Sequence, residues 1–129
     1  VALYSDVKVV EQIGYELVQL IESGAMHSEK MTQHLKDYLL PMVAEGIDYL
    51  VLGCTHYPYL IPQIKKIIPN QIKIIDSGEA VAKQTKHILE VNNLYNTSNE
   101  VFHSFYINNP PDVMHDLIGT SFRVDYKVF

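Results

Sequence analysis

The 129-residue chain is 47% hydrophobic with a formal net charge of −5, enough apolar material for one modest core and the wrong sign for a nucleic-acid surface. Its 10 Lys and Arg form no basic run, no apolar stretch approaches the length of a membrane span, and no signal peptide opens the sequence. A single cysteine excludes an intramolecular disulfide framework and suits a reducing compartment, so the expectation is a soluble, cytoplasmic protein.

Val1-Ala2-Leu3-Tyr4 reads as the middle of a longer sequence, and Val7-Lys8-Val9-Val10 has the character of a strand. From Tyr15, the spacing of Leu17, Val18, Leu20 and Ile21 predicts an amphipathic helix that Ser23-Gly24 ends. Glu22 sits at that end, where a lone carboxylate is ordinarily solvated. Ser28 is placed to cap a second helix starting at Glu29. Met31, Leu35, Leu39 and Met42 then fall at three- and four-residue spacings, which puts one face against a sheet. Pro41 removes a helical N–H and predicts a kink or break near the end of this helix, with Gly46 as its stop. His27 and His34, in or beside it, read as solvated side chains. No Cys/His or His/His pair has the spacing of a zinc site.

The centre of the chain is the stretch 48–58. Residues 48–52 form a short apolar run that reads as a buried strand, and Gly53 offers a sharp turn at its carboxyl end. Cys54, Thr55 and His56 then place a thiol, a hydroxyl and an imidazole in a row, with Pro58 suited to the first turn of a helix. Ligands of open α/β sheets bind beyond the carboxyl ends of strands. A thiol close to a helix N-terminus is favoured as the thiolate, and an imidazole two residues away can exchange protons with it. A lone cysteine is more often a small buried hydrophobe, Thr55 could serve only as a cap, and His56 could be structural. The three together favour a catalytic thiol.

Further along, residues 59–68 predict a helix with Leu60, Ile64, Ile67 and Ile68 apolar, Pro62 in its first turn and Pro69 after it. Residues 72–75 predict a strand, and Asp76-Ser77-Gly78 a turn into a helix whose Val81, Thr85, Ile88 and Leu89 share a face. That turn could cradle a carboxylate, but capping explains it equally well. A polar loop over 92–99, a strand over 101–107, a short helix from Pro110-Pro111-Asp112 to Gly119 and a strand over 122–129 complete the chain. The fold class is α/β, a mainly parallel sheet with flanking helices.

Gly53-Cys54-Thr55-His56-Tyr57-Pro58 resembles the second-cysteine motif of bacterial glutamate racemases, in the aspartate/glutamate racemase superfamily. Residues 17–24, reading Leu-Val-Gln-Leu-Ile-Glu-Ser-Gly, resemble the family's apolar run before its Glu, and the spacing from Glu22 to Cys54 is similar too. Leu39-Leu40-Pro41-Met42, Ile74-Ile75-Asp76-Ser77-Gly78 and Phe105-Tyr106 fit the later pattern, so the resemblance covers about residues 15–107.

That resemblance implies interconversion of L- and D-glutamate, supplying D-glutamate for peptidoglycan, by two cysteines on opposite faces of the substrate Cα and without pyridoxal phosphate or metal. Cys54 matches the second acid/base cysteine, Thr55 a substrate-binding threonine, His56 the histidine that assists the cysteine, and Glu22 an acidic residue of the same half-site. The family's other cysteine, with its Asn-Thr, has no counterpart, because Cys54 is the only cysteine. The family fold is a pseudo-symmetric pair of domains with the site between them. By that pattern residues 1–75 belong to the second domain, and residues 79–129 are the segment that completes the first. The expectation is therefore a carboxyl-terminal portion that is inactive alone and associates into a homo-oligomer, with glutamate as the small-molecule substrate. Alternatives are an aspartate or other amino-acid racemase of the superfamily, a non-catalytic remnant, or a thiol hydrolase. The last would need an oxyanion hole and a group orienting His56.

Overall fold

The computed structural model describes residues 6–96, 98 and 100–129; the reading of Val1-Ala2-Leu3-Tyr4 lies outside them. Among the described residues five α-helices and four strands follow one another as α1 (Leu17–Glu22), α2 (Glu29–Ala44), β1 (Tyr49–Val51), α3 (Ile61–Ile64), β2 (Lys73–Ile75), α4 (Gly78–Val91), β3 (Ser104–Ile107), α5 (Pro111–Ile118) and β4 (Arg123–Tyr126). A 3-10 turn, Tyr57–Leu60, precedes α3. The strands form two parallel pairs, β1 with β2 in the register Leu50–Ile74, and β3 with β4 in the register Phe105–Val124. Each pair encloses helical crossover structure, as parallel strands require.

Helix α2 follows its sequence signals closely. The Ser28 hydroxyl accepts from the Met31 N–H at 3.1 Å, satisfying one of the donors left over in a first helical turn. Met31, Leu35 and Leu39 are buried along one stripe. Pro41 neither breaks nor ends the helix, which runs on to Ala44. The proline forfeits the N–H bond to the residue 37 carbonyl, yet the helix continues through one further turn.

Two other expectations are corrected. Val7-Lys8-Val9-Val10 is not a strand; Val7 and Val9 are exposed, and among the described residues no strand forms a ladder with this segment. Strand propensity yields a strand only where another backbone completes the ladder. The single helix expected over 59–68 is instead the 3-10 turn followed by one α-helical turn. The Ile61 N–H bonds the Pro58 carbonyl three residues back, and Pro62 has no N–H with which to make the four-residue bond. The apolar spacing survives the change, since Leu60, Ile64 and Ile68 are all buried.

The core is formed by Leu17, Ile21, Met26, Met31, Leu35, Leu39, Leu50, Leu52, Leu60, Ile64, Ile68 and Ile72. All lie between residues 17 and 72. Beyond residue 78, Leu117 of α5 packs against this core from its edge, and the predicted apolar face of α4 is left without a buried residue. The β3–α5–β4 unit has its own aromatic contacts, with Phe122 meeting Phe105 edge-on at 5.4 Å and His103 at 5.7 Å.

Candidate active site

Burial of Leu50 and Leu52 anchors β1 in the core and delivers the residues that follow to one end of the β1–β2 pair. The ladder extends past the strand, with the Leu52 N–H donating to the Ile75 carbonyl at 2.8 Å. Gly53 comes next, without the positive φ of Gly24, Gly46 and Gly119. The expected sharp turn is made instead over residues 54–57, where the Tyr57 N–H donates to the Cys54 carbonyl at 3.2 Å. His56 precedes the 3-10 turn and Leu60 is fully buried behind it, so the 54–57 turn is held against the core.

This turn brings the thiol and imidazole together. Cys54 Sγ is 3.8 Å from His56 Nδ1, within reach of a sulfur hydrogen bond. On the other side of the ring, His56 Nε2 is 3.2 Å from Glu22 Oε1. Glu22 ends α1, and burial of Leu17 and Ile21 fixes that helix on the core. Glu22 is thus not merely solvated. In a neutral ring whose Nε2–H donates to the carboxylate, Nδ1 is the acceptor and faces the thiol. Such an arrangement can set a base beside a thiol, with a carboxylate to orient the base. It provides the orienting group that the sequence left unidentified for His56. Thr55 is exposed beside Cys54.

Cys54 is half-buried and opens on a cleft of about 600 Å³ whose lining includes Gly53, Tyr57 and residues 9–14. The Tyr57 hydroxyl donates to the Gly14 carbonyl at 3.3 Å. Burial raises its pKa above the usual value of 10.0, and electrostatic interaction with Cys54 and then Tyr38 adds to the effect. A second groove, of about 680 Å³, is lined by Tyr49, Lys65, Lys73 and Asp76 and holds neither the thiol nor the imidazole. Among the described residues, no group of three or more His, Cys, Asp or Glu side chains is set to hold a metal ion, and no helix is long and apolar enough to cross a membrane.

Two histidines behave differently from one another. His27 is exposed as expected, whereas His34 is half-buried, stacks on Tyr38 at 5.8 Å and lies 3.1 Å from Glu16 Oε2. Tyr57, Tyr38 and Gly14 were not singled out by sequence reasoning. Tyr57 belongs to the Cys-Thr-His-Tyr-Pro run, and that adjacency was the available signal.

A sequence model of the family described as Asp/Glu/Hydantoin racemase matches residues 4–85. The glutamate racemase of Pseudomonas putida (strain F1) is 46% identical over 90 residues, which cover 70% of this chain and 34% of the relative. A glutamate racemase isoform from Bacillus anthracis superposes with a TM-score of 0.77 at 29% identity, over 99% of this chain and 50% of that one. Glutamate racemase from Francisella tularensis, solved in complex with D-glutamate, gives a TM-score of 0.68 at 28% identity, over 88% of this chain and 44% of that one. The chain therefore spans about half the length of these structures, and its match spans a third of the Pseudomonas relative.

Proposed function

Because the chain belongs to the Asp/Glu/Hydantoin racemase family, we propose that it carries one of two acid/base thiols of a cofactor-independent glutamate racemase. Cys54, as the thiolate, takes the α-proton from one face of glutamate. A thiol on the opposite face, from a part of the protein outside this chain, delivers a proton to the same carbon. One C–H bond breaks and another forms, with no change of oxidation state. The α-proton is weakly acidic beside a carboxylate, so the base must be positioned and shielded from water.

His56 exchanges the proton with Cys54 between turnovers, Glu22 orients His56, and Thr55 binds the substrate through its exposed hydroxyl. The observation that carries this reading is the continuous Cys54–His56–Glu22 contact, with distances of 3.8 Å and 3.2 Å. It falls within the span that the family matches. Glutamate as substrate is supported by the names of the relatives, and supply of D-glutamate to peptidoglycan is the role that follows from it. Residues 1–75 supply the thiol-bearing domain, and residues 79–129 complete the other domain. The confinement of the buried core to residues 17–72 supports that division.

The chain alone is expected not to racemise glutamate, and addition of a racemase amino-terminal half is expected to restore turnover. Circular dichroism of L- and D-glutamate solutions follows the conversion. Full activity from the 129-residue chain alone, free of host enzyme, would overturn the two-thiol reading. The Glu22-oriented His56 also suits a thiol hydrolase. An acyl adduct on Cys54 detected by mass spectrometry would favour that reading instead.

A further inference from the structure

Residues 9–14 have no regular structure, yet they line the cleft onto which Cys54 opens. On their amino side Lys8 Nζ meets Glu45 Oε2 at 2.7 Å, and on their carboxyl side three consecutive positions are held. Tyr57, which follows the site residues in sequence, donates its hydroxyl to the Gly14 carbonyl at 3.3 Å. Tyr38, from α2, donates to the next carbonyl, that of Tyr15, at 3.2 Å. Glu16 then meets Lys30 Nζ at 2.7 Å and His34 Nε2 at 3.1 Å. The last of these partners, His34, stacks on Tyr38.

The backbone is shaped for these contacts. Glu16 has a φ of 62°, a left-handed conformation that a non-glycine residue seldom adopts without support. A β-carbon on Gly14 would lie 2.5 Å from Tyr57 Oη and 2.7 Å from Leu17 Cδ1, so a side chain there would displace the tips of both. Two hydroxyls from different elements thus hold adjacent peptide units of one otherwise irregular segment.

We propose that Tyr57 and Tyr38 are positioning residues that clamp the Gly14-Tyr15 main chain and so hold residues 9–14 as a wall of the Cys54 cleft, limiting the size of what reaches the thiol. The proposal rests on the reading of Cys54 as the reacting group. Because Tyr57 is also the third residue after Cys54, the wall and the thiol share one anchor. A shift of the 54–57 turn is transmitted to the wall through a single hydrogen bond.

Cys54 is the only cysteine, so its alkylation in the 129-residue chain reports the cleft directly. Second-order rates are measured with iodoacetamide, which is small, and with fluorescein maleimide, which is bulky. Tyr57→Phe and Tyr38→Phe each keep the ring and remove the hydroxyl. Each should raise the maleimide rate about three- to tenfold, the range expected for loss of one hydrogen bond. The iodoacetamide rate should rise less, with the thermal midpoint little changed. The double variant should fall short of the product of the single effects, because both hydroxyls hold one segment.

An unchanged ratio between the two reagents in either single variant would overturn the proposal, as would effects that simply multiply. General loosening of the fold would speed both reagents alike. Should Tyr57→Phe not fold, Glu16→Gln and Tyr38→Phe test the same wall by releasing its contacts with α2, with the same size dependence expected. Alkylation needs no turnover. A protein with the wall but no racemase role still shows the size dependence, and a racemase without the wall shows none.

Discussion

At Cys54, function turns on where the proton goes. If the thiol serves one face of the substrate, Cys54→Ser in an assembled racemase should lower racemisation by about 10²–10⁴-fold, since a hydroxyl is a far weaker acid. A merely structural cysteine would tolerate serine at a cost of about 1–3 kcal/mol in stability with turnover intact. His56→Asn should be milder and should act mainly in the direction where Cys54 removes the proton. Glu22→Gln should resemble it, because Glu22 reaches the thiol only through His56. Steady-state rates in both directions check both variants; a Glu22→Gln effect equal in the two directions would contradict the relay. The thiol–imidazole pair was legible from adjacency in sequence. The Glu22 contact was not, because it depends on how the end of α1 meets the 54–57 turn, and the resemblance to racemases alone pointed to it.

Among the elements, local signals sufficed where the chain organises itself and failed where a neighbour decides. Ser28 capping and the Met31–Leu35–Leu39 stripe were readable because a helix satisfies its own backbone. The strand expected at Val7–Val10 was misread because a strand needs a partner. The helix expected over 59–68 divides because Pro62 lacks the N–H that would join its turns. Ser28→Ala should therefore cost about 0.5–2 kcal/mol of unfolding free energy. Leu60→Ala, at a fully buried position, should cost about 2–5 kcal/mol. Urea unfolding checks both, and equal small losses would contradict the assigned core.

The link between α2 and the 9–16 segment carries a pH dependence. The Lys30 hydrogen bond, then that from His34, lowers the Glu16 pKa below its usual 4.5. A depressed carboxyl pKa contributes stability above the unfolded value and loses it as pH falls through the folded one. Glu16→Gln should flatten the acid limb of the melting temperature below about pH 4.5. An unaltered acid limb would show that the ion pair does not contribute in solution. His34 was read as solvated from its place on the helix; its contact with Glu16 depends on the left-handed turn before α1, which no local pattern announces.

Across the molecule, the α/β class and parallel pairing were legible from the alternation of elements. The division into two separate parallel pairs was not, since sheet order is set by contacts between distant segments. Large apolar side chains remain exposed, Val51, Ile75, Val81 and Ile88 on regular elements and Phe102 just before β3. Such surface promotes association, so light scattering over a range of concentrations should find a dimer or larger species. A monodisperse monomer with a cooperative melt would count against the need for further covering surface.

The central claim, that Cys54 serves one face of a two-thiol site, is tested most directly by elimination from a substrate with a β-leaving group. β-Chloroalanine is suitable, because elimination needs proton removal by only one thiol. The chain is fused to the amino-terminal portion of the Pseudomonas putida racemase, and Cys54→Ser is compared with the parent fusion on the D- and L-enantiomers. The variant should still eliminate from one enantiomer and lose the other by about 10²-fold or more. Equal loss with both would mean that Cys54 supports the fold or substrate binding and does not serve one face of the chemistry.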